Sequence, residues 1–210
     1  RRYLRDTLTT SVGLENATLR LHLYCNDVVD FHRPVLIRRI KVRNNAGHDR
    51  LVRLMHHQDF NMYGSKVGDT AYFDPDLRSI VHYRGQRYLM VTFFESGQQR
   101  MDEFATGTSG FHGAEGTWRD AEDGHLQGNP IAQGSVDSTV AHHVHVPAGE
   151  ERTAYMAIVA ATSREELIEQ HRWLTRTGPQ GVIDRTSSYW RLWAGGTHLN
   201  YGNLPAKVVD

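Results

Sequence analysis

The sequence predicts a mainly β protein, an antiparallel sandwich followed by two helices. From Thr7 to about Ala161, apolar residues recur at every second position in run after run, the period of a sheet with one buried face. Turn-forming clusters separate these runs with no helical pattern between them, which argues against a βαβ sheet. At Ser163 the period changes to that of a helix.

The elements follow in order. Leu19, Leu21, Leu23 and Cys25 alternate with Arg20, His22 and Tyr24. Ile40 and Val42 alternate with Lys41 and Arg43, and the strand should stop at Asn44-Asn45-Ala46-Gly47, a turn-rich stretch. Val52 and Leu54 resume the alternation. The stretch RSIVHYRGQRYLMVTFF carries two runs of β-formers hinged at Arg84-Gly85-Gln86, which reads as a hairpin. Val136, Val140, Val144 and Val146 mark another strand, closed by Pro147-Ala148-Gly149-Glu150 and followed by the run from Thr153 to Ala161. Ser163 with Glu166 three places on is a capping box, and Leu167, Ile168, His171 and Leu174 share one helical face, which should end near Thr177-Gly178-Pro179. A second helical segment, DRTSSYWRLW, places Tyr189, Trp190 and Trp193 at three- and four-residue spacing and stops at Gly195-Gly196. Two of the four tryptophans lie there, so this aromatic face is expected to meet another domain, to pack on its own sandwich, or both.

Composition narrows the function. The 210 residues carry 24 Lys+Arg against 24 Asp+Glu, a formal charge of +0, so there is no bulk attraction to nucleic acid or to an anionic membrane, and neither is expected as a partner. A single cysteine, Cys25, excludes an internal disulfide framework and a multi-cysteine zinc site, and its place in an apolar alternation reads as packing. No apolar run approaches the roughly 18 to 20 residues of a membrane span, and the first residues lack the apolar core of a signal peptide. The expectation is a cytoplasmic protein, although the chain has no initial Met and reads as a piece of a longer one whose missing part could hold an export signal.

Three constellations could carry chemistry. In AHHVHV, His143 and His145 share a sheet face and His142 points to the other. Two imidazoles could form part of a metal site if His56, His57 or Asp59 converged on them, as in a cupin-like metal enzyme; a plain strand face is the simpler reading, and no metal or cofactor is expected. The segment from His56 to Pro75 is a long connection carrying Asp59, Asn61, Tyr63, Asp69 and Tyr72, a mixture of polar groups and aromatic faces suited to sugars or to a self-packed loop. The segment GTWRDAEDGHLQGN, Gly116 to Asn129, gathers Trp118, Arg119, Asp120, Glu122 and Asp123. A glycosidase needs two carboxyl groups flanking a sugar, about 5 Å or about 6.5 to 9.5 Å apart. Asp120 and Asp123 lie on one short loop rather than on opposed supports, so no catalytic residue is assigned. Arg119 opposes a calcium site and should neutralise Asp120, Asp123 or Glu115 locally. Nucleophile elbows and phosphate loops are absent from the sequence.

Several stretches in order, YCNDVVDFHRPVLIRRIKVRN (24 to 44), LMHHQDFNMYGSKVGDTAYFDP (54 to 75), DEFATG (102 to 107), GAEGTWRDAEDGHLQGNPIAQGSVDST (113 to 139) and SSYWRLW (187 to 193), together resemble the N-terminal region of bacterial and archaeal glucoamylase-type enzymes of glycoside hydrolase family 15. The resemblance implies a super-β-sandwich of galactose-mutarotase-like type over residues 1–162, lacking its first strands. Residues 163–210 would then be a helical linker towards an (α/α)6 barrel that this chain does not contain. Members of the family cleave α-glucosidic bonds with inversion, using two glutamates of the barrel, and no residue here inherits those roles. The chain is then a non-catalytic domain that supports the barrel and shapes its entrance to an α-glucan or trehalose-type sugar. On this reading Asp59, Asn61, Tyr63, Asp69, Tyr72, Trp118, Arg119, Asp120 and Asp123 line the cleft or the domain boundary, and Tyr189, Trp190 and Trp193 pack against the barrel. The alternative is a free-standing carbohydrate-binding module with Trp118, Tyr63 and Tyr72 as stacking platforms.

Overall fold

The computed structural model describes residues 2–195 apart from residues 66 and 111. The proposed linker residues 196–210 lie outside the described residues. The chain runs through β1 (Arg2–Tyr3), β2 (Thr10–Asn16), β3 (Leu21–Val29), β4 (Val35–Asn44) and β5 (Arg50–Gln58), and a 3-10 turn at Met62–Gly64. Next come β6 (Asp69–Asp74), β7 (Ser79–Arg84), β8 (Arg87–Glu95), β9 (Gln98–Arg100) and β10 (Glu103–Thr108). After α1 (Thr117–Asp120) and a second 3-10 turn (Ala121–Asp123) follow β11 (Ile131–Gly134), β12 (Val136–Val146), β13 (Glu151–Ala161), α2 (Arg164–Thr177) and α3 (Pro179–Gly195).

Two antiparallel sheets result. The large one has the order β1-β2-β3-β4-β13-β8-β7-β6-β11, with β9 paired to β8; the small one is β10-β12-β5. The predicted antiparallel sandwich with C-terminal helices is therefore present. The small sheet covers one face of the large sheet and the two helices cover the other. Alternation along the central strands shows this directly. In β13, Ala154, Met156 and Ile158 join the cluster between the sheets, while Tyr155, Ala157, Val159 and Ala161 join the cluster under the helices. In β8, Val91 and Phe93 take the first side, and Tyr88, Met90 and Phe94 the second. A strand with both faces buried reads as a continuous apolar run, which is why YLMVTFF and YMAIVAA show weaker alternation than β3.

The two-residue hairpin at Gly85-Gln86 joins β7 to β8 with Arg84 opposite Arg87, and Gly85 sits at a φ of 54°. That left-handed conformation suits glycine and the twist of a hairpin.

The helix layer is held by named contacts. Ser163 Oγ accepts the Glu166 N–H at 3.1 Å, and the Glu166 carboxylate reaches back to the Thr162 N–H at 2.8 Å, so the capping box forms one residue wider than the usual reciprocal pair. Leu167 and Leu174 are fully buried. Gly178, at a φ of 72°, ends α2, and α3 starts at once on Pro179. The sequence pattern placed the second helix from Asp184; it begins five residues earlier because proline is pre-organised for the first helical position, and its first turns bury Val182 and Ile183. Asp30, buried before β4, accepts the N–H groups of His32 and Arg33 at 3.0 and 2.8 Å through one oxygen and the Thr186 hydroxyl at 3.1 Å through the other. This carboxylate fastens α3 to the sheet.

Candidate functional site

The loop between β10 and β11 lies on the outer face of the small sheet. Residues alternating along β12 explain why it stays there: Val136, Ser138, Val140, His142 and Val144 point between the sheets, so Asp137, Thr139, Ala141 and His143 point outward. Asp137 is fully buried beneath the loop. One of its oxygens accepts the Thr117 N–H at 2.7 Å and lies 2.9 Å from His57 Nε2. Thr117 and Thr139 share a hydroxyl hydrogen bond of 2.9 Å. Gly116, at a φ of 100°, passes so close that a Cβ there would overlap that same Asp137 oxygen. Farther along, Leu126 and Ala121 pack on Ala105, Ala141 and Met55, and Glu103 accepts the Leu126 N–H at 2.7 Å with His143 and His125 at 3.2 and 3.3 Å. The loop is a pinned element with a small apolar underside.

The charges of this loop face outward. Arg119 pairs with Glu115 at 3.3 Å and Glu122 at 2.7 Å, all three more than half exposed; the expected pairings with Asp120 or Asp123 do not form. Asp120 accepts the Gln127 N–H at 2.9 Å and Asp123 the His125 N–H at 2.9 Å, so both carboxylates shape the loop's own backbone. With Glu115, Arg119 and Glu122 they rim an open depression of about 660 Å³. Glycosidase general acids sit in closed apolar surroundings, whereas Asp123 is exposed. Trp118 is 44% exposed, donates from Nε1 to the Glu115 carbonyl, and has the Arg119 guanidinium 5.9 Å from its ring.

The segment after β5 is the second candidate. Asp59 and Asn61 are exposed. Tyr63 is half exposed and sits at a φ of 55°, a strained conformation for an aromatic residue. Two groups hold it there. Asp69, 2% exposed, accepts the Met62 N–H at 3.3 Å; Arg84 donates to the Met62 carbonyl at 3.3 Å and lies 3.6 Å from Asp69. Two guanidinium groups lie over the Tyr63 ring, Arg87 at 3.9 Å and Arg84 at 5.6 Å from its centroid. Tyr72 is not part of this group: it turns towards the helix layer, edge-on to Tyr83 at 5.9 Å. Burial raises its phenol pKa, with Arg164 working against the shift. The pairing of β6 with β11, together with the Gly68 N–H to Gly134 carbonyl bond at 3.2 Å, ties the base of this segment to the end of the other loop.

The candidate metal ligands named from the sequence do not converge. His57 lies opposite Thr139 in the β5–β12 register and His143 opposite Arg53, four positions apart, about 13 Å along a strand. Among the described residues no group of three or more His, Cys, Asp or Glu side chains could hold a metal ion. His142 instead points inward, 2% exposed, 2.7 Å from Asp102 and 3.3 Å from Glu95. Burial works to raise the Asp102 carboxyl, but hydrogen bonds from His143 N–H and His142 outweigh it and hold the group below its ordinary value. Burial lowers the His56 and His82 imidazoles to about 4 each.

No family model matches the chain, and no curated protein matches it by sequence. Structural comparison is more informative. A bacterial glucoamylase, in its crystal structure with acarbose, superposes with a TM-score of 0.71 over 93% of this chain at 10% identity. The likeness is one of fold. A protein described as a kojibiose phosphorylase from the human microbiome superposes with a TM-score of 0.54 over 87% of this chain at 8% identity. The chain spans only 28% and 22% of the lengths of these two proteins.

The aromatic face at the end of α3 is the third candidate. Tyr189 stacks on Phe31 with centroids 4.2 Å apart, and Trp190 meets Trp193 edge-on at 5.9 Å. Tyr189, Leu192 and Trp193 remain 39%, 79% and 68% exposed. With Tyr3, Leu4 and Leu8, the two tryptophans line a groove of about 1140 Å³. The first turns of α3 therefore close the core, and its last turns leave an apolar surface. Among the described residues no helix is long and apolar enough to cross a membrane.

The sequence singled out Trp118 to Asp123 but missed Asp137, Thr117, Thr139 and Glu103, which fix that loop. Aspartate at an outward position of a strand looks solvated in sequence, and only the covering loop makes it buried.

Proposed function

We propose that this chain is a non-catalytic β-sandwich domain of a glycoside hydrolase family 15 α-glucosidase-type enzyme, of glucoamylase, glucodextranase or trehalase-like kind. It supports an (α/α)6 catalytic barrel and shapes the entrance to an α-glucan or trehalose-type sugar. The observation that carries the reading is the TM-score of 0.71 over 93% of this chain, set against only 28% of the bacterial glucoamylase: the shared fold is a fraction of a longer enzyme. In this reading the sandwich of residues 1–162 is followed by residues 163–210 as the connection. Tyr189, Trp190 and Trp193 pack against the barrel, since an exposed apolar surface of this kind marks an interaction site. Asp59, Asn61, Tyr63, Asp69 and the Trp118 to Asp123 loop serve the entrance in different ways, while Tyr72, on the helix side of β6, supports the sheet beneath it. Tyr63 presents a half-exposed ring, Asp69 fixes it, and Arg119 and its carboxylates form the polar rim.

Two observations test this. The reading frame beyond Asp210 should encode about a dozen amphipathic helices, the pattern of such a barrel. Calorimetric titration of this chain with malto-oligosaccharides should give no heat of binding. Clear binding, lost in Trp118→Ala or Tyr63→Ala, would favour the free-standing carbohydrate-binding module instead.

A further inference from the structure

A chain of hydrogen bonds crosses the sandwich from β5 through β12 to β7, and its polarity follows from a single carbonyl. The side-chain nitrogen of Gln58 lies 2.6 Å from the His56 carbonyl oxygen and 2.5 Å from His56 Nδ1. A carbonyl only accepts, so this end of the amide is the NH2 group and His56 Nδ1 is also an acceptor. At the other end of the amide, Gln58 Oε1 can only accept, and takes the Ser138 hydroxyl proton at 2.8 Å. That hydroxyl has no second proton. Ser138 Oγ therefore accepts from His82 Nε2 at 2.7 Å. His82 thus carries its proton on Nε2 and a bare lone pair on Nδ1, a buried atom with no hydrogen-bond partner in the structure.

A second proton is resisted at both rings, at His56 by the order of the chain and at His82 by burial of the charge. On His56 the proton would go to Nδ1 and face the Gln58 NH2 group. On His82 it would place a cation on a side chain that is 0% exposed. The surroundings offer little relief to His56: Arg38 and His57 oppose a charge there and only Asp27 favours one. Asp137 and Asp59 favour a charge on His82, but burial, joined by His57, outweighs them. Both ends of the chain reach the same loop. Gln58 immediately precedes Asp59 in sequence, and Phe60 packs edge-on against the His82 ring at 5.0 Å and 89°.

We propose that the His56–Gln58–Ser138–His82 chain is an acid-triggered release for residues 59–65, the segment that carries Tyr63. A proton taken from solvent by either imidazole breaks the chain at Gln58 or displaces Phe60, and the loop loosens while the sandwich stays folded. Only the consequence for a substrate entrance rests on the proposed function; the release itself does not.

Amide hydrogen exchange on this chain, corrected for the intrinsic pH dependence of exchange, tests it. Between about pH 6 and about pH 4 the protection of the hydrogen-bonded amides of Met62, Gly64 and Ser65 should fall by about tenfold or more, at pH values where the amides of β8 and β13 are still protected. Ser138→Ala should show the loosened loop already at neutral pH, and His82→Gln should remove most of the acid step. Should a variant fail to fold, nitrogen-15 spectra of the wild-type histidines decide: His82 must appear as the neutral Nε2–H tautomer at neutral pH. A protonated Nδ1 in the neutral ring, or loop protection that falls only together with that of β8 and β13, overturns the proposal.

Discussion

Replacing Asp137 by alanine should release the Gly116 to Asn129 loop at a cost that the structure allows to be worked out. The carboxylate is buried and accepts the Thr117 N–H at 2.7 Å, with His57 Nε2 at 2.9 Å. Its removal leaves the Thr117 N–H without a partner, about 1 to 3 kcal/mol, and removes a hydrogen bond to a carboxylate, about 1.5 to 3 kcal/mol. One contribution opposes these: Asp137 Oδ1 is buried with no hydrogen-bond partner, and deleting it relieves that strain, so a net loss of about 3 kcal/mol is expected. Urea unfolding followed by tryptophan fluorescence measures it. Gly116→Ala adds a second arm. In the wild type its Cβ would overlap Asp137, whereas in Asp137→Ala only the positive φ and a 3.3 Å approach to Ser109 Cβ remain costly. The double-mutant cycle should therefore show a coupling of about 1 to 3 kcal/mol. A loss below about 1 kcal/mol for Asp137→Ala, or additive effects of the two changes, would refute the pinned-loop account.

Three further outcomes are expected. His56 and His82 both have folded pKa values of about 4 against an ordinary 6.5, so their contribution to stability is complete above about pH 6.5 and is lost as the pH falls towards 4. Each should cost about 2 kcal/mol by about pH 5, visible as a fall in the urea midpoint that is roughly halved in His82→Gln; identical pH curves for the two proteins would contradict it. Asp30→Ala should cost about 2 to 4 kcal/mol through three lost partners, and proteolysis should then cut first in α3. Ser163→Ala should cost about 1 kcal/mol through loss of the cap, read as a small shift in thermal midpoint with the same fold by circular dichroism.

Much of the fold was legible because periodicity records burial. Residues Ile40 and Val42, the hairpin at Gly85 and the Ser163 cap all lie where local pattern and tertiary packing agree. The three-layer arrangement was harder to read, since Met90, Phe94, Ala157 and Val159 are apolar in either a two- or three-layer structure. The start of α3 was missed because Pro179 and Gly181 look like punctuation until Gly178 is seen to have ended the preceding helix. For the candidate site, composition drew attention to the right loops but not to their supports. Asp69, Asp137 and Glu103 act by accepting backbone N–H groups, a role with no sequence spacing of its own. Tyr72 illustrates the opposite error: proximity in sequence to Tyr63 says nothing about which side of β6 a ring occupies.

The most direct test of the proposed division of labour is a glucose-release assay on this chain alone with maltose, starch oligosaccharides and trehalose. The account predicts no turnover here and turnover once the chain is extended through a following barrel. Measurable hydrolysis by the isolated chain, abolished by Asp120→Ala or Asp123→Ala, would contradict it.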